Sequence, residues 1–114
     1  MYCRSCRKWF PNNILFCDIC GKPLVKDLDI YGENFFNGDV QAFDYIYQNS
    51  YNWVAGEVRK MFSANSSEVE DCVQEIYLLL YRKIKYYDPR QGSFSAWFNA
   101  LVRIEMFILT QKQE

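Results

Sequence analysis

Four of the chain's five cysteines fall into two matching hooks, Cys3-x2-Cys6 and Cys17-x2-Cys20, with ten residues between them. Two such hooks can present four thiolates to one tetrahedral ion, and sulfur-only coordination at this spacing suits zinc. Gly21 follows the second hook, where the chain must turn tightly to aim backbone amides at sulfur. Arg7 stands at the equivalent place after the first hook, a departure from that pattern. A shell closed by Cys3, Cys6, Cys17 and Cys20 leaves no position for substrate, so the expected metal is one structural Zn2+ per chain. Two other chemistries compete for these cysteines. Disulfides need an oxidising compartment, and no basic start followed by an apolar segment directs this chain to one. A redox pair needs a βαβ setting, which neither hook has.

The rest of the chain offers no catalytic constellation. Histidine is absent, which removes the commonest general base. No glycine loop of the phosphate-cradling or dinucleotide type occurs, and the carboxylates lack partners for acid–base work. A binding protein, not an enzyme, is expected. Asp71, Gln74, Glu75, Leu78 and Arg82 recur three or four residues apart, which sets them on one face of a helix. That face is an acidic and amide patch around one leucine. It is either a solvated surface or a docking surface.

The elements that position these groups follow from periodicity. Ser67 and Glu70 form a capping box at the start of a helix, and Val69, Cys72, Val73, Ile76, Leu80 and Ile84 make its apolar stripe. Cys72 is therefore expected in the core and not on the metal. Acids crowd the first turn and Arg82, Lys83 and Lys85 the last, as the macrodipole favours. Asp88-Pro89-Arg90-Gln91-Gly92 stops the helix. Ser93 caps the next one, with a stripe of Phe94, Trp97, Phe98, Leu101, Ile104 and Ile108. Upstream, Asp39 caps a helix through Phe43, Ile46, Tyr47, Ser50, Val54, Val58, Met61 and Phe62, and residues 63–66 turn into the central helix.

The expected fold class is mainly α: a bundle of three antiparallel helices over residues 39–114, packed around Trp53, Tyr77, Trp97 and Leu101. A small four-cysteine zinc ribbon over residues 1–25 precedes it, with Trp9, Phe10, Ile14 and Phe16 as its tiny core. Residues 26–38 read as a partly packed linker with a short helical turn.

With 114 residues, half of them apolar, the chain can bury one modest core plus an appendage. A net charge of −1 is unlike a protein that holds duplex DNA alone, since phosphate neutralisation calls for a basic excess. No apolar run is long enough to span a bilayer, so a cytoplasmic protein with no membrane partner is expected.

Two stretches carry a resemblance. Asp71-Cys-Val-Gln74-Glu75-Ile-Tyr-Leu-Leu-Leu-Tyr81, followed by Tyr87-Asp88-Pro89-Arg-Gln-Gly92-Ser-Phe94-Ser-Ala-Trp97-Phe, resembles region 2 of bacterial sigma factors of the extracytoplasmic-function type. Gly38-Asp39-Val-Gln-Ala42-Phe43 is similar to the opening of that region's first helix, and the likeness covers about two thirds of the chain. The cysteine segment is similar to short zinc ribbons found at the ends of many bacterial proteins.

The sigma resemblance implies a transcription initiation factor domain with two partners. Asp71, Gln74, Glu75 and Leu78 would dock on the coiled coil of the RNA polymerase β′ clamp. Arg82, Lys83, Lys85, Tyr86, Tyr87, Asp88, Arg90, Ser93 and Arg103 would engage the melted −10 promoter element as single-stranded DNA, with a flipped base in the loop. Basic residues beside aromatic ones suit stacking on unpaired bases. Helix-end charge plus core aromatics is the competing explanation, and the better one for Phe94 and Trp97.

The likeness fades beyond Trp97. Ile104 and Ile108 replace a common asparagine and a common aspartate, and Gln111-Lys112 stands for a basic pair. A regulatory adaptor that binds polymerase or another protein without reading promoters is the alternative. An anti-sigma protein or a second sigma-like chain is a further candidate partner.

Overall fold

The computed structural model describes residues 1–61 and 66–112, with the side chains of 1–61 and 67–108. The turn expected over 63–66 lies outside the described residues apart from the backbone of Ser66. Two short strands, β1 (Tyr2–Cys3) and β2 (Lys8–Trp9), pair antiparallel with Tyr2 opposite Trp9 and Cys3 opposite Lys8. Four α-helices follow among the described residues: α1 (Asp27–Phe36), α2 (Gln41–Met61), α3 (Ser66–Lys83) and α4 (Phe94–Lys112). A single 3-10 turn, Ile84–Tyr86, ends α3. No helix among the described residues is long and apolar enough to cross a membrane.

The helices begin and end as the side chains dictate. Asp39 Oδ1 accepts the amide of Gln41 at 3.1 Å, and Ser93 Oγ that of Ala96 at 3.2 Å, so both caps satisfy an orphan donor. α3 starts at Ser66, two residues before the start that a Ser67 cap would set, and Glu70 is engaged by Tyr51 and Gln74. The α3 stripe faces inward as expected: Val69, Cys72, Val73, Ile76 and Leu80 are buried and Ile84 half-buried.

Three expectations about how the helices pack change. First, the bundle has four helices instead of three, because residues 27–36 form a full helix where a linker was expected. α1 buries Ile30, Gly32 and Phe35, and its side chains Leu28, Tyr31 and Phe36 pack on the main core. Secondly, Phe94 and Phe98 are the largest fully buried side chains, while Trp53 lies 40% exposed against the Phe98 ring, 6.0 Å between centroids. The α2 seam runs through Ile46, Ser50, Val54 and Val58, four residues apart, which leaves Trp53 on its flank. Trp97 and Leu101 pack on the core only partly, whereas Tyr77 is buried.

Thirdly, the α4 stripe rotates. Val102 and Met106 continue inward from Phe98, and Ile104 and Ile108 emerge 59% and 41% exposed. The seam advances by four residues per turn, so the flank that begins at Trp97 leaves the bundle after Leu101.

The ribbon packs its own small cluster of Cys3, Cys17 and Leu24, with Phe10 and Ile14 against it; Trp9 and Phe16 stay exposed. Trp9 instead lies on Tyr31 of α1, which stacks in turn on Tyr45 of α2 at 3.6 Å. Arg4 pairs with Glu33 of α1 at 2.9 Å, and the amino terminus pairs with Asp27.

Candidate functional site

The two cysteine hooks converge. The four sulfurs of Cys3, Cys6, Cys17 and Cys20 all lie within 4.8 Å of one another, and could hold a metal ion. Cys3 and Cys20 sulfurs stand 3.6 Å apart and Cys6 and Cys17 sulfurs 3.7 Å. A disulfide needs about 2.05 Å. A tetrahedron with bonds of about 2.3 Å has edges of about 3.8 Å, close to what is seen.

The hooks are built alike. Arg7 N reaches Cys3 O at 2.8 Å and Gly21 N reaches Cys17 O at 2.9 Å. Both residues take left-handed backbone, φ 53 and φ 74. The amides of Cys6 and Ile19 point at the sulfurs of Cys3 and Cys17, each at 3.4 Å. Backbone amides of Cys20 and Ile19 hold the Cys17 thiol down at about 7, whereas its hydrogen bond to Cys17 pushes Cys6 up to about 12. Cys72 is separate: it is buried in the helical core, which raises its thiol to about 11.

On α3, Asp71, Gln74, Glu75 and Leu78 are exposed on one face, as their spacing requires. Residues that the sequence did not assign to this face complete it. Phe43, Tyr47 and Tyr51 recur at four-residue intervals along α2, and that stripe was the available signal. Tyr51 donates to Glu70 at 2.6 Å, and the Gln74 amide donates to both Glu70 and Tyr47, at 3.0 and 3.1 Å. The Tyr51 hydroxyl, and then the Gln74 amide, hold the Glu70 carboxyl below the usual carboxylate range. Beside this lattice is a depression of about 340 Å³ walled by Phe43, Tyr47, Tyr77, Leu78 and Tyr81. Polar groups held in place at the rim of an apolar hollow could receive an apolar side chain.

The third site is the loop between the 3-10 turn and α4. A cavity of about 590 Å³ opens there, bordered by Tyr86, Asp88, Gln91, Gly92, Ala96 and Trp97. Tyr87 and Ser93 line it as well, but the Tyr87 ring is buried among Phe36, Phe94 and Trp97 and its hydroxyl donates to Gly92 O at 3.0 Å. Tyr87 shapes the wall, and Tyr86, 69% exposed with Lys85 Nζ 5.3 Å from its ring centre, is the free aromatic. Arg90 folds back on Asp88, whose side chain accepts from its amide at 3.0 Å and from Nε at 3.2 Å. That pairing, first through the Arg90 side chain, lowers the Asp88 carboxyl.

Arg82, Lys83, Lys85 and Arg103 are exposed but do not border this cavity, and Arg103 Nε bonds Asn99 Oδ1 at 3.2 Å. Asp29 of α1, another residue missed in the sequence, clamps the start of α4 by accepting the amide and hydroxyl of Ser95 at 2.7 and 2.5 Å.

Comparison with known proteins bears on the α3 face and the loop before α4, and the family match does not reach the cysteine hooks. The family model described as sigma-70 region 2 matches residues 46–107. Two proteins named ECF RNA polymerase sigma factor SigK, from Mycobacterium sp. strains KMS and JLS, are 33% identical over 78 residues. So is the RNA polymerase sigma factor SigK of strain MCS. These alignments cover 68% of this chain and 40% of each relative, so the chain spans less than half the length of the curated relatives it matches. No solved structure matches.

Proposed function

This chain belongs to the sigma-70 region 2 family, and from that premise we propose that it is a transcription initiation factor domain that binds RNA polymerase through α3 and captures single-stranded promoter DNA in the loop before α4. The observation that carries the reading is the α3 surface. Asp71, Gln74, Glu75 and Leu78 project from one exposed face beside the tyrosine-walled hollow. Carboxylates and an amide can pair with arginines of the β′ clamp coiled coil while Leu78 supplies an apolar anchor. The loop cavity is the proposed seat of one flipped base of the melted −10 element, with Tyr86 offering a stacking face. One Zn2+ held by Cys3, Cys6, Cys17 and Cys20 would lock the ribbon and take no part in chemistry.

Reversing charge at Glu75 tests the α3 contact. Glu75→Lys should weaken binding to RNA polymerase core by about 2 kcal/mol, because an exposed carboxylate is exchanged for a repelling ammonium. Helicity should stay unchanged, since Glu75 is exposed. A Glu75→Lys chain that co-purifies with polymerase as well as its parent would remove the reading.

The last helix favours a second reading. α4 exposes Ile104 and Phe107 where a DNA-reading helix would carry polar or basic groups. A regulatory adaptor that keeps the α3 contact and does not read promoters would account for that surface.

A further inference from the structure

A second cavity, of about 610 Å³, lies between the ribbon and α1, bordered by Arg4, Arg7 and Trp9 on one side and Glu33 and Asn34 on the other. Pro89 closes it from the loop, while the neighbouring Asp88 borders the proposed base pocket. The two cavities thus meet the same loop at adjacent residues.

The backbone at Arg7 is the unusual feature of this cleft. Its φ of 53 is a left-handed conformation that costs an L-residue about 1–2 kcal/mol and costs glycine little. The second hook makes the same turn with Gly21. Arg7 is exposed, lines the cleft, and makes no ion pair with another described residue. A strained position that keeps a free guanidinium where glycine would serve the turn better points to a use for the charge.

The distribution of charge agrees. Residues 1–25 hold Arg4, Arg7, Lys8 and Lys22 against the single acid Asp18, whereas residues 26–114 hold nine basic and thirteen acidic side chains. Even with the net negative charge of a metal tetrathiolate counted, the ribbon is the positive end of an acidic molecule.

We propose that the ribbon–α1 cleft is a phosphate-binding extension of the loop pocket, in which Arg7 contacts the backbone of the same single strand of DNA. Arg4 shares its guanidinium between Glu33 and that strand. The inference rests on the DNA-binding reading of the loop, and adds that the ribbon supplies the phosphate contacts that the helices, short of basic charge, lack.

The test uses the full zinc-loaded chain and fluorescein-labelled single-stranded DNA, either about four nucleotides long, enough for the pocket, or about twelve, enough to cross the cleft. Arg7→Gly relieves the strained backbone, so zinc content should be retained and the melting temperature unchanged or raised. Its affinity for the longer strand should fall about threefold to tenfold and the salt slope by about 0.7, the value for one fewer neutralised phosphate on a single strand. Affinity for the short strand should not change. Asn34→Lys, which adds a cation in the last turn of α1, should tighten the longer strand instead.

These effects should be equal for matched and scrambled sequences, because a phosphate contact reads no base. A parent that does not bind the longer strand, variants that bind it as the parent does, or an Arg7→Gly loss equal on both lengths would overturn the cleft. A parent that binds matched and scrambled strands alike would instead remove the base-reading role of the loop, and leave the Arg7 comparison to stand.

Discussion

Cys72 and the four ribbon cysteines share one side chain and have opposite fates, set by what surrounds each sulfur. In the hooks, backbone amides and neighbouring sulfurs converge on the thiols; in the core, apolar packing first of all raises the Cys72 thiol to about 11. Purified protein should therefore contain one zinc per chain, and Cys72→Ala should leave that content unchanged by metal analysis. Zinc lost with Cys72 would contradict the assignment. Chelation should disorder the ribbon while the far-ultraviolet helical signal persists, since the helical core does not depend on the metal.

Tyr77 gives a second test at this scale. Burial pushes its hydroxyl up to about 12, and it shares a 2.6 Å hydrogen bond with Ser50. An unfolded tyrosine ionises near pH 10, so the neutral form is favoured by the fold. The resulting stability is complete below about pH 10 and is lost as pH rises from there through about 12. Tyr77→Phe should make that alkaline loss shallower in denaturant titrations. At neutral pH it should cost about 1 kcal/mol, the worth of the bond to Ser50.

α1 is the element that the sequence concealed. Its ten residues carry Gly32, which lowers helix propensity, and acids interrupt its apolar positions, so local pattern argues for a linker. Packing decides otherwise. A Cβ built on Gly32 would collide with the Phe94 ring, which shows how closely α1 lies on the start of α4. Gly32→Ala should therefore destabilise the domain by about 1–3 kcal/mol, the range for overpacking a filled core. Gly56, inside α2, has nothing within 4 Å of an added Cβ, and Gly56→Ala should stabilise by about 0.5–1 kcal/mol. Thermal melts that move both variants in the same direction would reject this packing.

The α3 stripe and both caps were legible because one apolar face and one polar face exclude other rotations. α4 was not, since Ile104, Phe107 and Ile108 make it apolar on several sides, and periodicity alone cannot choose which turns inward. The convergence of the hooks could be read at once, because two matched pairs ten residues apart are a local pattern. The tyrosine-walled hollow could not, because it joins residues of α2 and α3 that only packing brings together.

Across the whole molecule, a ribbon and a helical body are joined by α1 so that three surfaces have fixed relations. Trp9, Tyr31 and Tyr45 stack from the ribbon through α1 to α2, and Asp29 of α1 holds the start of α4 beside the loop pocket. The α3 face lies on the same helix whose end leads into that loop. With polymerase on α3 and an opened strand in the loop, polymerase should sharpen a preference that the isolated chain, with a net charge of −1, expresses weakly. The most direct measurement is the affinity of −10-like and scrambled single strands for the chain bound to RNA polymerase core. The matched strand should bind about tenfold more tightly, about 1.4 kcal/mol, and Tyr86→Ala should remove most of the difference. Equal binding of matched and scrambled strands in the presence of polymerase would contradict promoter capture by the loop.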